Sequence, residues 1–165
     1  MIPEVSQWFR AYGFADARDG LFVGAYPLDA GDVMMLSRLG IRRVLNLVED
    51  DEYEPGQRAA VEAALAEAEI AETRIEMVDY GHLPAAELET AVAQIIDWLN
   101  AGECTYVHCR AGWQRSAAVS AGVVAVYDGV SIAEALRRVR ARKPSAQPLP
   151  HQVDDLVRWY AERSA

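Results

Sequence analysis

Apolar and polar positions recur with two different periods along this chain, and the changes of period mark out its elements. Leu21 to Ala25 is a short apolar run and reads as a strand. Asp29 is placed to cap a helix that reaches about Leu39, where Gly40 ends it. Arg42 to Val48 is β-branched and apolar enough for a buried strand. Pro55 opens an Ala-rich helix through about Glu69. Thr73 to Asp79 alternates and predicts a strand. Pro84 stands at the first turn of a longer helix, in which Leu88, Val92, Ile95, Ile96 and Leu99 share one face. Cys104 to His108 predicts another strand, and Arg115 onward a buried helix rich in Ala and Val. Ser131 and Glu134 have the spacing of a capping box. The helix after them buries Ile132, Leu136 and Val139. A connection with Pro144, Pro148 and Pro150 leads to a last helix ending near Arg163.

Strands that alternate with helices of this length predict an α/β fold. The expected core is a central, mostly parallel mixed sheet of about four to five strands, with helices on both faces. In such sheets ligands sit at the carboxyl ends of the strands.

Composition narrows the class. With 165 residues, 52% of them hydrophobic, the chain reads as one domain spanning residues 1–165. Met1 to Arg10 lacks a basic region followed by an apolar run, so no signal peptide is expected. The longest mostly apolar stretch, Ala117 to Tyr127, falls short of the about 20 residues of a membrane span, so no transmembrane segment is expected. Two cysteines, Cys104 and Cys109, make no disulfide scaffold. The expectation is a cytoplasmic monomer. A net charge of −9 speaks against nucleic acid as a partner. The charge is uneven: residues 1–100 hold 19 acids and 7 bases, residues 101–165 hold 6 acids and 9 bases. No His, Cys or carboxylate cluster has metal-ligand spacing, so neither metal nor cofactor is expected.

The basic excess accompanies the segment His108-Cys109-Arg110-Ala111-Gly112-Trp113-Gln114-Arg115-Ser116. It lies between a strand end and a helix start, and is long enough to turn the backbone N–H groups of residues 110–114 inward around one phosphate. Gly112 permits the backbone angles this needs. The same amides and the helix dipole favour a thiolate at Cys109. Arg115 can hold two phosphate oxygens bidentately and grip the planar transition state. Ser116 can donate to the sulfur and ease its departure. Arg110, Ala111, Gly112, Trp113, Gln114 and Arg115 are therefore the expected phosphate-binding set.

HCRAGWQRS resembles the signature of the protein-tyrosine-phosphatase superfamily, its dual-specificity branch in particular. The likeness extends through DGLFVGAYP (Asp19 to Pro27) and LGIRRVLNL (Leu39 to Leu47). It implies a tyrosine-phosphatase-like fold, Cys109 as nucleophile, Arg115 as phosphate ligand, Ser116 as an aid to thiolate release, and His108 as a residue that orients the loop and tunes the thiol. It also implies a general acid on a separate upstream loop. Asp79, in DYGHLP and 30 residues before Cys109, suits that role, with His82 the substitute on the same loop. Rhodanese-type sulfur transferases usually have one residue fewer between Cys and Arg. Small bacterial tyrosine phosphatases and arsenate reductases place the acid after the cysteine.

The family resemblance implies a phosphomonoester hydrolase with a phosphocysteine intermediate, acting on phosphotyrosine and related esters of proteins. EDDEYEP (Glu49 to Pro55) and GECTYVHCRAG (Gly102 to Gly112) are similar to phosphatidylglycerophosphate phosphatases, which makes a phospholipid headgroup the alternative substrate. Gly-Trp-x-Arg is similar to the myotubularin lipid phosphatases. A phospho-binding module without turnover is a third reading, although such members usually lose the Cys or Arg retained here. The acidic run Glu49 to Pro55 otherwise reads as a solvated loop, and Arg137, Arg138, Arg140, Arg142 and Lys143 as the solvated face of a helix or a greeting for an anionic substrate. Gln147 and Gln152 fall where related enzymes keep polar residues near the loop, and Leu149 replaces an Asn common there. Cys104 reads as a packed core thiol: at five strand residues from Cys109 it is about 15 Å away, too far for a disulfide.

Overall fold

The computed structural model describes residues 4–164. Five strands form one sheet in the order β1-β2-β5-β3-β4. They are β1 (Phe14–Arg18), β2 (Leu21–Gly24), β3 (Arg43–Asn46), β4 (Ala71–Arg74) and β5 (Thr105–His108). β1 runs antiparallel to β2, and every other pairing is parallel. The register sets Gly24, His108 and Asn46 in one row, so the carboxyl ends of β2, β5 and β3 finish together.

Helices cover both faces. Val44 and Tyr106 point to one side, against α1 (Gln7–Tyr12), α2 (Ala30–Arg38) and α3 (Gln57–Glu67). Leu45 and Val107, one residue further along, point to the other. There they meet α4 (Ala85–Asn100), α5 (Arg115–Asp128), α6 (Ile132–Arg142) and α7 (Pro150–Ser164). α5 is the central helix: from Arg115 through Ala125 every residue is buried, which is why, Arg115 and two serines apart, its sequence is small or apolar on every side.

The predicted helices stand with small shifts at their ends. Asp29 caps α2 by accepting from the Asp32 N–H at 3.0 Å. Pro84 is the cap of α4, one position before its first turn. After Pro55, Gly56 in the left-handed region precedes α3. The Ser131 box is half formed: Ser131 Oγ accepts from the Glu134 N–H at 3.1 Å, while the Glu134 carboxylate is taken by Arg137 and Arg138.

Two expectations are corrected. The strand predicted over Thr73 to Asp79 lies earlier, at Ala71–Arg74. Its alternation continues because Ile75 and Met77 still donate to Asn46 O and Leu47 O, both at 3.0 Å. Regular pairing stops there because Asn46 turns its side chain to accept from the Val48 N–H at 2.8 Å, which ends β3. Ahead of Leu21, where no element was expected, lie α1 and β1. α1 is capped by Ser6 and tied to α2 by buried Asp32, which accepts from Ser6 N and Ser6 Oγ at 2.7 and 2.6 Å.

Candidate active site

The loop from Cys109 to Gln114 closes over the common end of β2, β5 and β3, and its carbonyls are spoken for on the outside. His108 O accepts from Leu47 N at 3.0 Å, Arg110 O from Tyr26 N at 3.1 Å, and Trp113 O from Gln147 N at 2.7 Å. Arg110 O also takes the Trp8 indole N–H at 3.1 Å. Carbonyls turned outward leave the N–H edges of these peptides turned inward, the arrangement that holds an oxyanion. Gly112 is required for it. Its φ is +76°, and a Cβ there would sit 2.6 Å from the Gly24 carbonyl carbon.

Cys109 is buried, with its Sγ 3.2 Å from Ser116 Oγ. Burial alone would raise the thiol. Arg115, the Ser116 hydroxyl and the backbone N–H groups of Ser116 and Gln114 outweigh it, and the net effect lowers the Cys109 pKa. His108 sits beneath the loop, fully buried, with Nδ1 3.1 Å from the Cys109 carbonyl oxygen. A carbonyl only accepts, so the ring proton is on Nδ1. Burial pushes this imidazole down to about 4, which keeps it neutral.

Arg115 is buried to 1% exposure, and its NH1 and NH2 reach both carboxylate oxygens of Glu52 at 2.8 and 2.7 Å. NH1 also donates to Met77 O at 2.9 Å. Its Nε is buried without a hydrogen-bond partner among the described residues. The acidic run after β3 is therefore not simply a solvated loop. A 3₁₀ turn at Asp50–Glu52 aims Glu52 inward, with Glu52 Oε2 accepting from Glu49 N at 2.8 Å. Burial would raise the Glu52 carboxyl; Arg115 above all brings it below its ordinary value. Sequence reasoning missed Glu52 as a site residue. The signal was positional: the run follows a strand at the carboxyl edge of the sheet.

Asp79 stands at the mouth of the same cavity, with Oδ1 3.3 Å from Arg115 NH2. His82 does not. It is mostly exposed, bonded to Asp155 and tilted against His151 with ring centroids 4.9 Å apart, and it lines a different cleft. It is no substitute acid in this arrangement.

The remaining walls are aromatic. Trp8, Tyr12, Tyr80 and Trp113 line the cavity with Arg110. Trp8 packs on Tyr12 at 4.3 Å, Tyr12 on Trp113 at 5.3 Å, and the Arg110 guanidinium lies 5.6 Å over the Trp8 ring. Trp8 and Tyr12 also escaped the sequence reading, because α1 is too short to show a period.

The α6 bases do not line the cavity. Arg137 and Arg138 pair with Glu134, and Arg142 with Asp16. Lys143, expected on the solvated face, is buried, with Nζ 2.6 Å from Ser145 Oγ. Cys104 is half-buried at the far end of β5, and burial raises its thiol. Among the described residues no cluster of His, Cys, Asp or Glu is arranged to hold a metal, and no single helix is long and apolar enough to cross a membrane.

The profile of the dual specificity phosphatase catalytic domain matches residues 21–162. The chain belongs to this family. It is a cysteine-dependent phosphatase of the dual-specificity branch, with the five-stranded mixed sheet of that fold. Human (Homo sapiens) dual specificity phosphatase 28 is 31% identical over 134 residues, covering 79% of this chain and 68% of that protein. Phosphatidylglycerophosphatase and protein-tyrosine phosphatase 1 of Rattus norvegicus is 25% identical over 146 residues, covering 88% and 75%. The crystal structure of PTPMT1 in complex with PI(5)P superposes with a TM-score of 0.80 at 23% identity, covering 92% of this chain and 99% of that one. Within the dual-specificity family frame, Cys109, Arg110, Ala111, Trp113, Gln114 and Arg115 of the signature loop line one cavity with Asp79.

Proposed function

We propose that the chain hydrolyses aryl phosphomonoesters, phosphotyrosine on proteins above all, through a phosphocysteine at Cys109. The observation that carries the chemistry is the convergence of Cys109, Arg115 and Asp79 on one cavity. Glu52 occupies the NH1/NH2 edge of Arg115, which leaves its Nε/NH2 edge for two phosphate oxygens. The Cys109 thiolate attacks phosphorus; the S–P bond forms as the bond to the leaving oxygen breaks, and the Asp79 carboxyl gives that oxygen its proton. Water then attacks phosphorus, the Asp79 carboxylate takes its proton, and the S–P bond breaks. Ser116 donates to the departing thiolate. His108, neutral, fixes the Cys109 carbonyl and with it the loop.

The aromatic wall of Trp8, Tyr12, Tyr80 and Trp113 supports a flat, aromatic substrate. A second reading has its own support. The acidic segment similar to phosphatidylglycerophosphate phosphatases is the one that supplies Glu52, and a relative named for that activity matches 88% of the chain. That reading makes a phospholipid headgroup the substrate.

A panel of p-nitrophenyl phosphate, a phosphotyrosine peptide, a phosphoserine peptide, phosphatidylglycerophosphate and PI(5)P decides between them, run with Cys109→Ser as control. The expected result is highest kcat/KM on the aryl esters, no turnover by Cys109→Ser, and vanadate binding retained in that variant. A higher kcat/KM on the lipids moves the assignment to the second reading. Binding without turnover on every member makes the chain a phospho-binding module.

A further inference from the structure

Three residues near the start of α7 reach onto one short piece of chain, the loop that carries Asp79. His151 donates from Nε2 to the Tyr80 carbonyl at 2.9 Å. Gln152, fully buried, donates from Nε2 to the Gly81 carbonyl at 3.2 Å, while its Oε1 accepts from Leu149 N at 2.9 Å. Asp155, with a side chain only 9% exposed, accepts from Leu83 N at 2.8 Å and from His82 Nδ1 at 2.9 Å. Residues 80 to 83 are thus each bonded to α7, on the side of the helix where positions 151, 152 and 155 meet.

The loop needs such support. Tyr80 is held at φ +61°, a left-handed conformation unfavourable for a residue with a Cβ. Strain of this kind persists only where surrounding contacts over-determine it. The turn's own bond, Gly81 N to Val78 O at 3.0 Å, is local. A carboxyl group works as a general acid only within hydrogen-bond reach of the oxygen it protonates. Loop position is therefore a kinetic variable.

We infer that α7, through His151, Gln152 and Asp155, is the positioning element that holds the Asp79 loop over Cys109; this rests on the reading of Asp79 as the general acid. The three residues do not line the cavity and act through the loop. Loosening them leaves thiolate attack intact and weakens proton delivery. An ester whose leaving group departs without a proton is then spared, and one that needs the proton is not.

The test is kcat/KM on a series of aryl phosphates of rising leaving-group pKa, with thermal melts of each variant. Asp155→Ala removes the acceptor for Leu83, and Asp155→Asn keeps one. Gln152→Glu keeps an oxygen for the Leu149 N–H but removes the donor to Gly81, and it carries the test alone where Asp155→Ala does not fold. The expected result for Asp155→Ala and Gln152→Glu is a loss of about tenfold on the poorest leaving group and less than about twofold on the best. Asp155→Asn restores most of it, and neither variant adds to the loss in an Asp79→Asn background. Equal losses across the series, while Asp79→Asn alone steepens it, overturn the positioning role. A flat series for Asp79→Asn overturns the acid assignment itself and leaves α7 nothing to position.

Discussion

Burial decides the charge of His108, and the consequence is measurable. Folded, the imidazole titrates at about 4; unfolded, at its ordinary 6.5. Its folded value is the lower one, so the unfolded chain takes up a proton that the folded chain refuses. Stability is fully present above pH 6.5 and is lost as pH falls towards 4, by about 3 kcal/mol over that window. Melting temperature against pH should fall more steeply over this range in the wild type than in His108→Asn. Parallel curves would mean that His108 does not carry the proton linkage. Glu52 acts in the same direction at lower pH. Its carboxyl is lowered, so its contribution stands above its ordinary value and fades at more acidic pH.

At the scale of elements, the site depends on how closely two backbones approach. Gly112 on the signature loop lies against Gly24 at the end of β2, with no room for a Cβ on the loop side. Gly112→Ala must both move the loop and hold an alanine at φ +76°. The N–H groups around the oxyanion would then lose their common centre. Each such donor is worth on the order of a hundredfold in kcat, so the expected loss is at least that, with vanadate affinity falling in parallel. Retained vanadate affinity in Gly112→Ala would show that the loop tolerates the shift. This loop was legible in the sequence because its chemistry is contiguous: one strand end, one turn, one helix start. The helices α3 to α7 were legible because their periods run over ten residues or more, and the parallel strands β3 and β5 because they are short, largely apolar runs set between helices. Glu52, Trp8 and Tyr12 were not. Glu52 follows the carboxyl end of β3, while Trp8 and Tyr12 precede the amino end of antiparallel β1, which pairs with the carboxyl end of β2; the sheet's register brings them together and leaves no trace in local spacing. The extended run through Met77 likewise looked like one strand, because alternation reports direction of side chains and not the presence of a partner.

Across the whole molecule, one end of the sheet carries the chemistry and the other does not. Cys109 lies at the carboxyl end of β5 and Cys104 at the amino end, so the two thiols report on separate environments, one lowered and one raised. Charge is also sorted, though not by a free basic surface near the cavity: Arg137, Arg138 and Arg142 of α6 pair with Glu134, Asp128 and Asp16. Fifteen of the sixteen bases are arginine, and the single lysine, Lys143, is the buried one. It sits in the connection whose Gln147 N–H holds the signature loop at Trp113. The side chains of this chain therefore offer an acylating reagent one primary amine, and folding hides it. The rate at which Lys143 is acylated should count openings of the stretch behind the loop, slowing when vanadate fills the cavity; a rate indifferent to vanadate would mean that the connection opens independently of the site. A composition with almost no lysine thus turns a routine labelling reaction into a clock for motion next to the nucleophile.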